Sequence, residues 1–243
     1  MIDTHCHFDL YPNPLEIITE AEKLGVTVIG MTLLPSHFEQ GFSHIQSFKK
    51  IRLALGLHPL YAKKHQNEYN VFLDNVSKTS YIGEVGLDFS KEGLPTKDIQ
   101  LQSFRFILEN INPKAKVLSV HSRGAEIYTL ELLKEYNISN VIFHWYTGIQ
   151  ETMFKILDQG YYFSINPQMT FSQKGQQIIK SLPIERILAE SDGPFARINN
   201  KISMPSDVKL VYNFLSNIHN ISPDITIKLV KNNFHNLLYS LHK

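Results

Sequence analysis

A (β/α)8 TIM-like barrel is the fold class that this sequence predicts, on three observations. Eight short apolar, β-rich runs recur along 243 residues. Segments with helical apolar spacing lie between them, and no linker, low-complexity tract or charge block interrupts the series. Regular strand–helix alternation indicates parallel βαβ units, and about 250 residues is the usual length of a barrel that closes as one unit. An open doubly wound sheet is the alternative, because strand order is not visible in a sequence.

In chain order, strand 2–5 leads into helix 14–24, strand 26–32 into helix 38–50, and strand 51–56 into helix 68–78. Strand 81–86 precedes helix 98–110, strand 116–121 precedes helix 125–136, and strand 140–145 precedes helix 150–159. Strand 161–165 is followed by helix 172–181, and strand 186–190 by helices at 206–217 and 223–241. The helices are read from apolar residues at three- and four-residue steps, as in Ile127, Leu130 and Leu133. A single domain, 1–243, is the simplest account.

Composition narrows the class further. Hydrophobic residues make up 43% and charged residues 19%, which excludes a disordered chain. A chain of this size buries roughly three quarters of its unfolded surface, so it needs no disulfide or structural metal to fold, and a metal site would serve chemistry. The formal net charge of +1 provides no general basic field; nucleic-acid contact must come from local groups. Lys49-Lys50, Lys63-Lys64 and Lys114-Ala115-Lys116 read as solvated faces. The lone cysteine, Cys6, fits a reducing compartment. No stretch at the N-terminus resembles a signal peptide, and no apolar run approaches the roughly 20 residues that span a bilayer. A soluble, cytoplasmic protein with no membrane contact is expected.

The polar residues at the strand ends carry the chemistry. His5 and His7 form His-x-His on an extended segment, where residues two apart share a face and their imidazoles can share a cation. Cys6, between them, points the other way, into packing. Glu84 lies in the apolar run Tyr81-Ile82-Gly83-Glu84-Val85-Gly86, His121 ends the fifth strand, His144 stands near the end of the sixth, and Asp192 follows the eighth. One such residue alone reads best as a buried, hydrogen-bonded polar group. Six in the same structural position do not, because converging ionisable groups are costly without a cation to offset desolvation and repulsion. In α/β barrels the C-terminal rim carries the active site. His58, in Gly56-Leu57-His58-Pro59, directly follows a strand and is balanced between a substrate contact and a local loop role. His37, His44, His65, His219, His235 and His242 lack strand-end placement and read as surface or packing residues.

Together these pieces resemble the TatD family of metal-dependent deoxyribonucleases, within the amidohydrolase-like barrels. The resemblance runs through Asp3-Thr4-His5-Cys6-His7, Gly56-Leu57-His58-Pro59, Gly83-Glu84-Val85-Gly86-Leu87-Asp88, His121-Ser122-Arg123, Phe143-His144 and Glu190-Ser191-Asp192-Gly193-Pro194. Lys231-Asn232-Asn233-Phe234 is similar to the family's Asn-containing terminal helix. Two segments depart from the family pattern: Trp145-Tyr146-Thr147-Gly148 replaces Cys-Phe-Ser-Gly, and Asp192-Gly193-Pro194-Phe195 replaces Asp-Ala-Pro-Tyr. With Phe8-Asp9-Leu10-Tyr11-Pro12, these variants resemble the TatD-type nuclease of the bacterial Qat anti-phage system, which implies partner proteins of that system.

The resemblance implies two divalent ions bridged by Glu84, with His5, His7 and Asp192 at one and His121 and His144 at the other. It implies hydrolysis of phosphodiester bonds in DNA, single-stranded or at 3′ ends, with RNA as another substrate. Asp192 then takes the proton of the attacking water. Arg123, beside His121, either grips a phosphate oxygen through its fork or makes a surface ion pair. Trp145, Tyr146 and Phe195 adjoin ligands and either stack on bases or pack in the core. Four imidazoles favour Zn²⁺ or Mn²⁺, whereas phosphodiester chemistry favours Mg²⁺; the resemblance points to Mg²⁺ or Mn²⁺. Two other classes stay open: a metal-dependent ester or amide hydrolase, such as an aminoacyl-tRNA deacylase, and an interaction component of a defence complex with weak activity of its own.

Overall fold

A computed structural model describes residues 1–239. The expected helix residues 240 and 241, and His242, lie outside the described residues. Eight parallel strands follow one another around the fold: β1 (Ile2–Cys6), β2 (Thr27–Gly30), β3 (Ile51–Leu53), β4 (Tyr81–Gly86), β5 (Val117–His121), β6 (Val141–His144), β7 (Tyr162–Ile165) and β8 (Ile187–Ala189). Strand order is sequential, β1-β2-β3 and β4-β5-β6-β7-β8. That order is a barrel; a doubly wound sheet would reverse direction partway. Most strand residues are buried, as expected for strands covered by helices outside and by packed side chains within.

The two sheets meet at seams held by particular bonds. Between β3 and β4, Leu55 N–H donates to Tyr81 O and Gly83 N–H to Leu55 O, both at 3.0 Å. Between β8 and β1, side chains replace a regular ladder. The Asp3 carboxylate accepts from Ser191 N–H at 2.9 Å and Ser191 Oγ at 2.5 Å, and Thr4 Oγ1 donates to Ala189 O at 3.1 Å. Asp192 N–H then donates to His5 O at 2.9 Å, which ties the last rim segment to the first strand.

The helices are α1 (Pro14–Lys23), α2 (Pro35–Phe42), α3 (His65–Asn75), α4 (Lys97–Glu109), α5 (Glu126–Glu135), α6 (Gln150–Asp158), α7 (Pro167–Phe171), α8 (Gln173–Ser181), α9 (Val208–His219) and α10 (Pro223–Tyr239). Helix α2 begins and ends earlier than its apolar spacing suggests. Pro35 sits in its first turn, where a missing N–H costs nothing. Two features have no counterpart in the apolar spacing. Helix α7 is too short for periodicity, and it is capped by Asn166, whose side chain accepts from Met169 N–H. A hairpin, β9 (Arg197–Ile198) with β10 (Lys201–Ile202), turns at Asn199 and Asn200, which hold φ of 49° and 64°.

Lys116 departs from the solvated role expected of it. It is buried, and its ammonium donates to the carbonyls of Val76 and Thr79 at 2.5 and 2.6 Å, where the α3 segment runs out of amide partners. At the barrel's N-terminal end, Asn233 of α10 donates to Ile184 O and Ile187 O at 2.7 and 2.8 Å, fixing the entry to β8. No helix among the described residues is long and apolar enough to cross a membrane.

Candidate metal centre

The C-terminal ends of the strands gather all six expected ligands. His5 and His7 come from β1 and the residue after it, Glu84 from β4, His121 from the end of β5, His144 from the end of β6, and Asp192 from just beyond β8. Gly86 allows the close approach of β4 to β5. At φ 125° its missing side chain leaves room for the His121 carbonyl, which a Cβ would strike. Trp145 and Asp192 occupy the left-handed region at φ 36° and 45°, both on the rim, where strained backbone concentrates at functional sites.

Glu84, buried at 2% exposure, is the hub. Its Oε2 lies 3.0 Å from His7 Nε2 and 3.4 Å from His5 Nε2. Its Oε1 lies 2.7 Å from His121 Nδ1, 3.0 Å from His144 Nε2 and 3.3 Å from His58 Nε2. The two oxygens thus face two different sets of imidazoles. Asp192 Oδ1 stands 3.7 Å from His5 Nε2. His144 lies between the sets: its ring stacks on His5 at 3.9 Å, and it also comes together with His5 and Asp192.

Burial opposes charge on Glu84, yet the surrounding imidazoles, His58 and His144 foremost, hold its carboxyl well below the ordinary range. Burial pushes Asp192 well above its range, with the charges of Glu190 and Glu84 adding to it against that of His144. Burial lowers His5 well below the ordinary imidazole value, helped by the charge of His144. For His144 the order reverses: burial opposes the cation, but Glu84 and Glu190 outweigh it and raise the ring well above normal.

The donor set fits a divalent cation. His5 Nδ1 pairs with Ser119 Oγ at 2.8 Å. With that nitrogen donating, the Nε2 lone pair points at Glu84 Oε2 and at His7 Nε2, 3.2 Å away. His121 is clearer. Its Nε2 lies 2.7 Å from Asp88 Oδ2, so an ionised Asp88 takes that N–H and leaves the Nδ1 lone pair facing Glu84 Oε1. Lone pairs converge without hydrogens between them unless a proton or a cation intervenes. Carboxylates that orient ligating imidazoles in this way are the usual surroundings of a metal.

His58 differs from the ligands. Leu60 N–H donates to its Nδ1 at 3.2 Å, so the neutral ring carries its proton on Nε2, the atom facing Glu84. The structure shows the local loop bond and also brings the ring into the site, with Nε2 3.3 Å from Glu84 Oε1. Arg123 and Phe195 are exposed on the rim, and the Phe195 ring stands edge-on to His7 at 5.0 Å. Trp145 is half-buried, its backbone N–H donating to Glu190 Oε1 at 3.1 Å. Tyr146 takes the packing alternative rather than base stacking: at 1% exposure it lies edge-to-face on Phe163, and its hydroxyl donates to Ile149 O at 2.8 Å. Among the remaining histidines, His65 is a buried packing residue, His37 is half-buried, and His44, His219 and His235 are exposed.

Sequence reasoning gave no role to Asp88, Glu190 and Ser119. Glu190 is fully buried and accepts from Ser164 Oγ and from Asn166 Nδ2 at 3.3 Å, with His144 Nδ1 3.5 Å away. The signal for all three is strand alternation, since Asp88, Ser119 and Glu190 sit at even spacing from Glu84, His121 and Asp192.

Histidines and carboxylates collected on the C-terminal rim of an α/β barrel define a metal-dependent hydrolase. The model of the TatD-related DNase family matches residues 2–239, and the chain belongs to that family. It is 30% identical over 227 residues to the uncharacterized metal-dependent hydrolase YabD of Bacillus subtilis, covering 87% of this chain and 88% of that protein. It is 24% identical over 257 residues to human deoxyribonuclease TATDN3, covering 96% and 92%. Among solved structures, the TatD homologue YjjV of Escherichia coli superposes with a TM-score of 0.81 at 22% identity over 98% of this chain and 97% of that one, a likeness that shows the fold.

Proposed function

We propose that this hydrolase is a divalent-metal-dependent nuclease that cleaves phosphodiester bonds in DNA, acting on single strands or 3′ ends. The observation that carries the reading is Glu84, whose two oxygens face separate imidazole sets, as a carboxylate bridging two ions would. His5, His7 and Asp192 would hold one ion, and His121 and His144 the other, with Mg²⁺ or Mn²⁺ as the working metal and Zn²⁺ as the alternative. Divalent ions held there would acidify water and neutralise charge developing on the phosphoryl oxygens.

The chain's own groups supply the rest. Asp192, whose Oδ1 stands 3.7 Å from His5 Nε2, would accept a proton at that oxygen as water attacks. His58 presents an N–H into the same pocket for a substrate oxygen. Arg123, exposed beyond His121, is free to grip a phosphate, and Phe195, open at 52%, to carry a base beside His7. The DNase description of the family and the name of the human relative support DNA as the substrate. The motif variants at Trp145–Gly148 and Asp192–Phe195 support a setting in Qat-type anti-phage defence, which loss of phage protection on Asp192→Asn within that system would check.

The test is digestion of end-labelled single- and double-stranded DNA with Mg²⁺, Mn²⁺, Zn²⁺ or chelator, by the unaltered chain and by Glu84→Gln. Metal-dependent products from the former and none from the latter are expected. Intact DNA under every condition, with aminoacyl-tRNA turned over instead, would replace the nuclease reading with that of an ester hydrolase.

A further inference from the structure

Two cations on the β4–β5 side of the rim have no carboxylate partner. Among the described residues, neither Lys97 nor Arg123 forms an ion pair, and Glu126, the acid nearest Arg123 in sequence, turns its Oε1 to the Gly124 amide at 3.3 Å. The backbone ladder of β4 and β5 continues past the strand ends: Leu87 N–H donates to His121 O at 3.0 Å, and Phe89 N–H to Arg123 O at 2.9 Å. Phe89 and Arg123 therefore stand in register, two residues or roughly 6–7 Å of extended chain beyond His121. Between Leu87 and Phe89, Asp88 holds the far nitrogen of His121. The segment is thus braced by the metal centre itself.

Onto Phe89 pack two residues from the helix layer. Tyr128, in the first turn of α5, meets its ring edge-to-face at 5.3 Å. Lys97, the first residue of α4, places its ammonium 4.8 Å from the Phe89 centroid and 4.7 Å from that of Tyr128. Packing alone accounts poorly for this group. A cation at a helix N-terminus is on the wrong side of the macrodipole, and Tyr128 leaves 48% of its surface open. The rings hold the ammonium in place while its hydrogen-bonding capacity remains unspent.

We propose that Phe89, Lys97, Arg123 and Tyr128 form an auxiliary subsite for single-stranded DNA that seats a nucleotide neighbouring the one hydrolysed. The base stacks on Tyr128, and the backbone phosphate lies between Lys97 and Arg123; this rests on the nuclease reading above. Stacking on an aromatic face tolerates any base, and fixed cations track the backbone, which is how single strands are held without sequence preference. With a net charge of only +1, the chain has no general field to do this, so local cations must.

The test uses the full chain and fluorescently labelled oligothymidylates of graded length, with binding read by anisotropy and cleavage followed separately with Mn²⁺. Tyr128→Ala should weaken binding of long strands about 5- to 150-fold, the range that loss of one stacked base gives, and raise KM far more than it changes kcat. Lys97→Met should flatten the dependence of log affinity on log salt by about 0.7, one phosphate's share for a single strand. Both losses should shrink as the strand shortens to a dinucleotide, and Tyr128→Phe and Lys97→Arg should restore most of the affinity. Tyr128→Leu, apolar but without a π face, removes the same stacking surface should Tyr128→Ala not fold. Parent-like binding of long strands by folded variants lacking the ring or the charge would overturn the subsite even if the parent cleaves DNA. A parent that loses affinity on these changes yet hydrolyses no DNA would retain the subsite and sink the nuclease reading.

Discussion

Replacing Asp88 by Asn removes one charge at nearly constant shape, and its consequences follow from the position of His121 between two carboxylates. His121 Nε2 lies 2.7 Å from Asp88 Oδ2, and Nδ1 lies 2.7 Å from Glu84 Oε1. Burial pushes the Asp88 carboxyl up, but hydrogen bonds from His121 and Ser90 outweigh it and hold it at about 2. Burial likewise opposes charge on His121, and the bonds to Asp88 and Glu84 outweigh it and raise the ring above its ordinary value. Without metal, the two carboxylates therefore favour a second proton on the imidazole, at Nδ1, and a divalent ion competes with it. Calorimetric Mn²⁺ titrations at pH 7, in two buffers of different ionisation enthalpy, should show protons released by the parent. In Asp88→Asn the amide oxygen still accepts the Nε2 hydrogen, but the charge that made His121 basic is gone. Fewer protons should be released, and affinity at this position should fall about 10- to 100-fold, or about 1.4–2.8 kcal/mol. In metal-free protein, the gap for Asp88 between 3.8 and about 2 is worth about 2 kcal/mol. Its folded pKa is depressed, so that stability is present above pH 4, is lost as pH falls towards 2, and should be missing from the variant at pH 7. Equal affinity and an equal proton count in parent and variant would refute this account of His121.

Three further outcomes are expected. Asp192→Asn should keep the fold and DNA binding while single-turnover cleavage drops about 10²–10⁴-fold; near-parental cleavage by the folded variant would remove Asp192 as proton acceptor. Ser119→Ala should weaken divalent-ion binding about tenfold by releasing His5 Nδ1 from its 2.8 Å partner, as metal-binding calorimetry of the folded variant would show; unchanged affinity would mean that packing alone orients His5. His65 is buried against the His58 carbonyl, and burial, against that bond, lowers its pKa from 6.5 to about 4. The folded state therefore favours the neutral ring, and up to about 3 kcal/mol present above pH 6.5 is lost as pH falls to 4. Urea unfolding of His65→Gln should show a shallower acid dependence over that window, and parallel curves would exclude His65 as its source.

Most of the eight strands were legible because they are apolar runs with both faces buried, and that demand leaves little freedom in residue type. The elements that escaped are made by single residues. Asn166 with Pro167 starts a helix of one turn and a half, and Asn199-Asn200 turns a hairpin whose strands have two residues each; neither is long enough for a period to show. The helix spanning 38–50 was displaced for a related reason, since Pro35 fixes a helix start that the apolar spacing does not register.

At the site the division falls between residues named by chemistry and residues named by orientation. Imidazole and carboxylate at strand ends announce themselves, because few other roles bring such groups to the rim of a barrel. Asp88 and Ser119 act through the far nitrogens of His121 and His5, and Glu190 stands 3.5 Å from that of His144. Which way those nitrogens point depends on ring rotations that no spacing encodes. His58 stood between the cases for the same reason: its position after β3 was visible, but the orientation of its ring depends on one backbone amide, that of Leu60. The metal centre is thus specified twice in the chain, once by residue type along the strands and once by the hydrogen bonds that orient His5, His58 and His121. A variant such as Asp88→Asn, which leaves every ligand in place, separates the two specifications.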